Sequence, residues 1–326
     1  MDRFFALVYL FDLMSVDMYK NVFYKVGHNT ELIASELVLE FWQYHINKGN
    51  IVDDDVMVSS NIAYLKAITD GLNTKNEKKI DAIKKNMDDV LDVINNTPGD
   101  DKYAKYAQFG GSRQFLNDVL VFCMPIGIYY NKKQDIDILI DITIKTIDYF
   151  KSDNICEILT GISSAYFASL SVQKVDIVEW GKMLLELLDS DKIKKKLKLD
   201  NSDNMVMYID YMRMWNRYME SKFDGGKIKK TYSDDSIVYK IKYYRQIIGK
   251  NTNLQLLFIE YGSIIMGYDI LLDCGNNYDK MIFYSVCFPS HTVSVAGFVG
   301  GIYALNNDVS EDKYEILKKR KIKINL

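Results

Sequence analysis

Proline is nearly missing from this chain of 326 residues: only Pro98, Pro125 and Pro289 occur. With so few residues that lack an amide hydrogen and break helices, most of the chain is free to be helical. Histidine is as scarce, with three (His28, His45 and His291), and no G-x-S-x-G segment accompanies them. That leaves little basis for a serine or cysteine triad. The four cysteines, Cys123, Cys156, Cys274 and Cys287, stand far apart with no CxxC pair. A disulfide framework is therefore not expected, and isolated thiols among apolar neighbours read as small buried hydrophobes. No run of about 18 apolar residues occurs, so no membrane span is expected. The apolar N-terminus is broken by Asp12 and Asp17 and lacks a basic stretch followed by a cleavage site. It reads as a buried helix and not as a signal peptide, which places the chain in the cytoplasm. Lysine and arginine number 41 against 44 aspartate and glutamate, for a net charge of −3. That balance does not indicate a general nucleic-acid binder. P-loop and dinucleotide fingerprints are also missing.

What is present is apolar and helical in pattern. Hydrophobic residues make up 48% and charged residues 26%, enough for a large buried core. Apolar residues recur at helical spacing over 3–19, 31–47, 56–72, 77–95, 134–151, 153–172, 174–189, 205–222, 252–273, 278–288 and 291–305. An apolar segment surrounds Pro125 at 115–130, and the lysine-rich run 192–198 reads as a solvated helix end or loop. The Met and aromatic stripe at 205–222 reads as core rather than as a ligand box. Alternation over 228–245, after Asp224-Gly225-Gly226, suggests a short β-hairpin. No internal repeat or low-complexity linker interrupts the pattern, so residues 1–326 read as a single domain of mainly α class. Abundant Lys, Asn, Ile and Tyr beside scarce Ala, Pro and Arg read as the codon bias of an AT-rich genome, such as that of a giant virus or a protist.

Four blocks in order resemble one family. Asn117-Asp118-Val119-Leu120-Val121-Phe122-Cys123-Met124-Pro125-Ile126-Gly127-Ile128 is similar to N-G-S-x-M-R-x-A-P-[IL]-G-[IL], the central motif of the ADP-ribosylglycohydrolases. The family's Gly-Ser pair and Arg are replaced by Asp118, Val119 and Phe122. Gly267-Tyr268 with Leu271-Leu272, followed by Tyr278 to Val286, resembles the family's G-Y-V-x-x-x-L stretch and next helix. Val293 to Tyr303, VSVAGFVGGIY, resembles its closing helix, and Ala6 to Ser15 its first helix, with Asp12 on the family's Asp. The resemblance runs from residue 6 to 303 and implies a compact all-helical bundle.

It also implies a chemistry. The family cleaves the bond between ADP-ribose and a modified group, with two Mg²⁺ ions held by a T-D-D-T motif opening an early helix and a D-x-D-[TS] motif opening the last. Where the last motif is expected, this chain has Phe288-Pro289-Ser290-His291-Thr292, and no carboxylate lies between Asp279 and Asp308. Thr292 stands at the motif's Thr. His291 is either a ligand for a softer metal or an ordinary histidine at a helix start. The early motif has two registers, and both stay open. In one, Ser59-Ser60-Asn61 replaces the carboxylates; in the other, Asp53-Asp54-Asp55-Val56 retains Asp54 and Asp55. Three acids at a helix start also complement the helix dipole without any metal.

The resemblance thus implies a cleft built from Asp12, residues 53–61, Asn117, Asp118, Ser290, His291 and Thr292, with Asp54 and Asp55 as vestigial catalytic candidates and no expected metal. The leading expectation is a non-catalytic interaction or scaffold module whose partner is another protein. Aromatic content of 13%, with 24 tyrosines, suits an interface. The alternatives are an ADP-ribosyl hydrolase with an altered Mg²⁺ site, or a metal-free binder of ADP-ribose, a nucleotide or a capped RNA end through base stacking. Nucleic acid is not indicated by the net charge, and the lysine-rich run 192–198 is the local feature weighed for it.

Overall fold

The computed structural model describes residues 4, 5, 7, 8, 11 and 14, then 60–75, 78–96, 119–149, 154–199, 202–229, 240, 243, 244, 246, 247, 262–286 and 292–310. Over these residues the protein is mainly α-helical. The N-terminal residues Phe4, Phe5, Leu7, Val8, Phe11 and Met14 are helical. Helices follow at Ser60–Asn73 (α1), Lys79–Asn96 (α2), Val119–Phe122 (α3), Met124–Tyr129 (α4), Ile136–Tyr149 (α5), Ile155–Val172 (α6), Ile177–Leu188 (α7), Asp191–Lys196 (α8) and Ser202–Lys222 (α9). The last three are Gly262–Cys274 (α10), Tyr278–Val286 (α11) and Thr292–Asn306 (α12).

Helix α6 is the centre. Nearly every side chain on it is buried, and helices α3, α4, α5, α7, α9, α10 and α12 pack around it. It is the one described helix long and apolar enough to cross a membrane by length and composition, and 89% of that window is buried against protein. Its start is set by Asn154, whose side chain accepts from the Cys156 amide at 2.9 Å. Its end is set by Lys174 at φ +58, with the Val175 amide bonded back to the Leu170 carbonyl at 3.1 Å. Hydroxyls on α6 are buried only because carbonyls receive them. Thr160 donates to Cys156 O at 2.7 Å, Ser163 to Leu159 O at 2.7 Å, and Ser164 crosses to Leu120 O at 2.6 Å.

Gly127 fixes how closely α4 meets α6. A Cβ there would sit 1.7 Å from the Ala165 carbonyl oxygen, so only glycine allows the two backbones to touch. Pro125 lies at the first turn of α4, where its missing amide costs nothing, and the chain turns at Cys123 between α3 and α4. Helix α9 runs parallel to α6: Cys156 meets Met207, Ser163 meets Tyr211, and Phe167 meets Trp215. The Met and aromatic stripe of α9 is core, with Tyr208, Tyr211, Met214, Trp215 and Tyr218 buried. Phe167 collects the rings of Trp180, Trp215 and Tyr268 at centroid distances of 5.4, 5.9 and 5.2 Å.

The expected hairpin is present, but it occupies Phe223–Asp224 (β1) and Lys227–Ile228 (β2), at the leading edge of the expected stretch. Phe223 pairs with Ile228 and Asp224 with Lys227. Gly225 and Gly226 form the loop at φ +54 and +80, the positive angles a two-residue turn of this kind requires. Farther along, Lys240, Tyr243, Tyr244, Gln246 and Ile247 are helical, so the alternation across 228–245 does not continue as strand there. The lysine-rich run is mostly helix α8. The expected helix 31–47 lies outside the described residues.

Candidate functional site

The four blocks that carry the family resemblance come together in the core. A Cβ on Gly297 of α12 would stand 3.1 Å from Val121 of α3 and 3.7 Å from Val8. Gly301 faces Phe4, Val8 and Met124, and Gly300 faces Leu7 and Phe11. The N-terminal residues Phe4, Leu7, Val8 and Phe11 thus pack along the glycine face of α12. Helix α1 joins the same group through Tyr64, whose ring lies 6.3 Å from that of Phe122. Helix α10 packs along α12 in parallel. Gly267 sits against the Phe298 ring, and Tyr303 donates to the Asn276 carbonyl at 2.9 Å. Helices α1 and α12 thus both pack against α3.

Among the residues expected in the cleft, Ser60 and Asn61 belong to α1 and Thr292 to α12. Asp12, Asp53, Asp54, Asp55, Ser59, Asn117, Asp118, Ser290 and His291 lie outside the described residues, as do the side chains of Ser60, Asn61 and Thr292. Among the described residues, no group of three or more His, Cys, Asp or Glu is close enough to hold a metal ion.

The polar centre that the structure does show lies elsewhere. Asp269 and Asp273, one turn apart on α10, each accept from both Lys222 at the end of α9 and Lys240. Lys222 Nζ lies 2.7 Å from Asp269 Oδ1 and 2.5 Å from Asp273 Oδ1. Lys240 Nζ lies 2.9 Å from Asp269 Oδ2 and also bonds Asp273 Oδ2. The result is a closed square of two carboxylates and two ammonium groups with no net charge. Tyr218 donates to Asp269 at 3.0 Å and Tyr244 at 2.7 Å. Side-chain exposures are 2% for Lys222, 1% for Asp269 and 10% for Lys240, while Asp273 at 28% forms the edge that meets water.

Asp269 and Lys240 are both held in their charged forms. Burial alone would raise the pKa of Asp269, but the ammonium groups of Lys240 and Lys222 more than offset this and hold it well below the usual carboxylate range. Burial likewise works against the charge on Lys240, yet Asp269 and Asp273 hold its pKa above the ordinary lysine value. Burial, and then the nearby Asp269 charge, push the Tyr218 and Tyr244 hydroxyls well above theirs. Asp269 and Lys240 are therefore tuned away from neutral pH, the opposite of what general acid–base catalysis needs. Sequence reading missed this cluster. The available signal was Asp269 and Asp273, two acids at i, i+4 in an otherwise apolar helix.

Two further polar features are accounted for locally. Three of the lysines around α8 are paired: Lys192 with Asp137 at 2.9 Å, Lys194 with Asp189 at 2.7 Å, and Lys196 with Asp141. A cavity of about 240 Å³ lies where α6, α10 and α12 end, lined by Lys174, Asn276, Tyr303, Asn306 and Asn307 among others. There Lys174 donates to the Leu305 carbonyl at 2.5 Å.

No family model matches the chain. A viral protein does. Over 203 residues the chain is 22% identical to "Putative ADP-ribosyl glycohydrolase L444" of Acanthamoeba polyphaga mimivirus, covering 59% of this chain and 39% of that protein's length. Over that stretch the chain is similar to a protein that carries the name of the family its motifs resemble. It spans about two-fifths of the length of this relative. Mg²⁺ is the metal this family implies, and the donors at the start of α12 do not suit it. Pro289, Ser290, His291 and Thr292 offer no carboxylate, whereas Mg²⁺ dehydrates reluctantly and favours hard anionic oxygens. The helices that carry the resembling motifs pack closely on their neighbours through Gly127, Gly297, Gly300 and Gly301.

Proposed function

We propose that this chain is a non-catalytic interaction module on an ADP-ribosylglycohydrolase scaffold, with another protein as its partner. One observation carries the reading. Helix α12 is seated against α3 and the N-terminal segment by its small residues, yet it is entered through Phe288-Pro289-Ser290-His291-Thr292 instead of a carboxylate pair. With that pair gone, two dications a few ångströms apart would be poorly neutralised, and their mutual repulsion would dominate. In the register that places Ser59-Ser60-Asn61 at the early motif, the other carboxylates are removed as well.

The test is a hydrolysis assay on ADP-ribosylated serine and arginine peptides with Mg²⁺, run beside calorimetry with Mg²⁺ and free ADP-ribose. The expected result is neither turnover nor binding. Losing preorganised charge of this kind typically removes about a thousandfold or more in rate. Turnover that disappears in an Asp54→Ala/Asp55→Ala variant would overturn the proposal and select an altered-metal hydrolase using the register 53–56. Binding of ADP-ribose without turnover would make the cleft a ligand-binding module instead.

A further inference from the structure

Helix α9 has two faces of different kinds. Tyr208, Tyr211, Trp215 and Tyr218 are buried on the side that meets α6 and α7. On the opposite side, Ser202, Val206, Ile209, Arg213, Asn216 and Glu220 stand four and three residues apart in one line, and all six are exposed. The N-terminal half of this line is apolar. Val206 is 58% exposed, Ile209 42% and the adjoining Met205 38%. Single exposed apolar side chains are ordinary on a protein surface, but three neighbours on one helix face form a patch that favours a partner. Alternate spacing of four and three is also that of the seam between two packed helices.

The charges around the patch point to its occupant. An exposed acid, Asp203, stands before its N-terminal end, and an exposed base, Arg213, stands one turn past Ile209. Laid antiparallel on a second copy, with Val206 of each on Ile209 of the other, the strip brings Arg213 of each beside Ser202 and Asp203 of the other. A parallel copy would instead stack Arg213 on Arg213 and Asp203 on Asp203. Arg213 Nη1 donates to its own Asp210 at 2.8 Å. A guanidinium carries five N–H donors in a planar fork, so it can bridge Asp210 and the Asp203 of a second copy. We propose that α9 is a self-association face, on which two copies of this chain pair antiparallel through Met205, Val206 and Ile209, with Arg213 and Asp203 fixing the direction. A contact of this kind, using the same patch on both copies, closes as a dimer and does not propagate. One helix pair lies in the smallest class of interface, below about 1,200 Å², so the association is weak and reversible. The inference rests on α9 alone and not on the reading of the motif cleft.

Sedimentation velocity on the full chain over a concentration series tests this. The wild type is expected to be monomeric at about 1 µM and to shift towards dimer by about 100 µM. Val206→Glu and Ile209→Glu each put a carboxylate into the apolar contact and are expected to raise the dimer Kd at least about tenfold. Their melting temperatures, measured on dilute protein, should match the wild type, because both side chains lie outside the core. Arg213→Glu gathers like charges at each end and is expected to abolish the dimer. Adding Asp203→Arg to it is expected to restore association, since the exchanged charges again meet across the two-fold axis. Asp210→Asn removes the acid that competes for Arg213 and is expected to tighten the dimer. A wild type that stays monomeric through about 500 µM overturns the proposal. So does a dimer that Ile209→Glu leaves intact, which would lie on another face, and so does a failure of Asp203→Arg to rescue Arg213→Glu.

Discussion

Replacing Gly127 by alanine sets two physical effects against each other. Gly127 lies inside α4, where alanine is the better helix former by about 1 kcal/mol, so intrinsic propensity predicts a more stable protein. Packing predicts the reverse. The new Cβ would stand 1.7 Å from the Ala165 carbonyl oxygen, 2.6 Å from its carbonyl carbon and 3.0 Å from the Ser169 amide nitrogen. Ordinary contact begins near 3.4 Å, so the overlap is 3.4 − 1.7, or about 1.7 Å, and every atom met is backbone. No rotamer change relieves it; α4 must move off α6. Overpacking of this kind costs about 1–3 kcal/mol and occasionally more. The movement also strains the adjoining α3 contact, where Ser164 donates to Leu120 O at 2.6 Å, and losing a buried hydrogen bond adds about 1–3 kcal/mol. After subtracting the propensity gain, the net loss is about 1–5 kcal/mol. At about 2–4 °C per kcal/mol for a large domain, the melting temperature should fall by about 2–20 °C. Thermal and urea unfolding of the two proteins measure it. A melting temperature equal to or above the wild type would refute the close approach of α4 and α6.

Three further outcomes follow from buried groups. Asp269→Asn leaves Lys222 and Lys240 sharing one carboxylate and should lower stability by about 3–5 kcal/mol in urea unfolding; a loss under about 1 kcal/mol would show that the square is relaxed or solvated. The contribution of Asp269, whose folded pKa is depressed, is full above about pH 4 and fades only as the pH falls through that lower value. That of Lys240, whose folded pKa is raised, is full below about pH 10 and fades as the pH rises through the higher value. The stability gap between the wild type and Asp269→Asn should therefore stay flat from about pH 5 to 9, and a drift beyond about 1 kcal/mol across that window would contradict the pairing. Burial also pushes the Cys123 thiol far up and the Cys274 thiol up to about 12. Both should resist thiol reagents at neutral pH until the chain unfolds, and peptide mapping that finds either one rapidly alkylated in the native protein would show that the core opens there.

The helices were legible because apolar periodicity is a local signal. The expected segments 77–95, 134–151 and 153–172 appear as Lys79–Asn96, Ile136–Tyr149 and Ile155–Val172. The segment around Pro125 divided into α3 and α4, with the proline at the first turn of α4. The hairpin fell earlier than the alternation suggested, because Gly225 and Gly226 are the loop itself and not a boundary before it. Charge pairing was not legible. Lys222 and Lys240 are far in sequence from Asp269 and Asp273, and periodicity says nothing about which charges meet. The same holds for the lysine-rich run, where Lys192 and Lys196 find Asp137 and Asp141 on α5. At the candidate cleft, the sequence leaves the choice between residues 53–56 and 58–61 open, since both precede a helix with equally apolar faces.

The two kinds of family feature in this chain answer to different physics. Gly127, Gly297, Gly300 and Gly301 stand where a Cβ would meet another element at 1.7, 3.1, 2.9 and 2.8 Å, so each is constrained by steric exclusion that acts whether or not the chain has a ligand. A metal-binding carboxylate is constrained only while an ion is present. Without one, clustered acids repel each other, and replacing them by Pro, Ser, His or Thr in a loop relieves that repulsion at little cost to packing. A chain released from metal chemistry can therefore keep the helix contacts and lose the donors. The opposite pattern, intact donors with widened helix contacts, would displace the very ligands it preserved, because the side chains that touch the ion must be held to about half an ångström. The proposed function expects the first pattern at the entry to α12, and hydrolysis by purified protein, not the fold, is the measurement that decides between it and an active hydrolase.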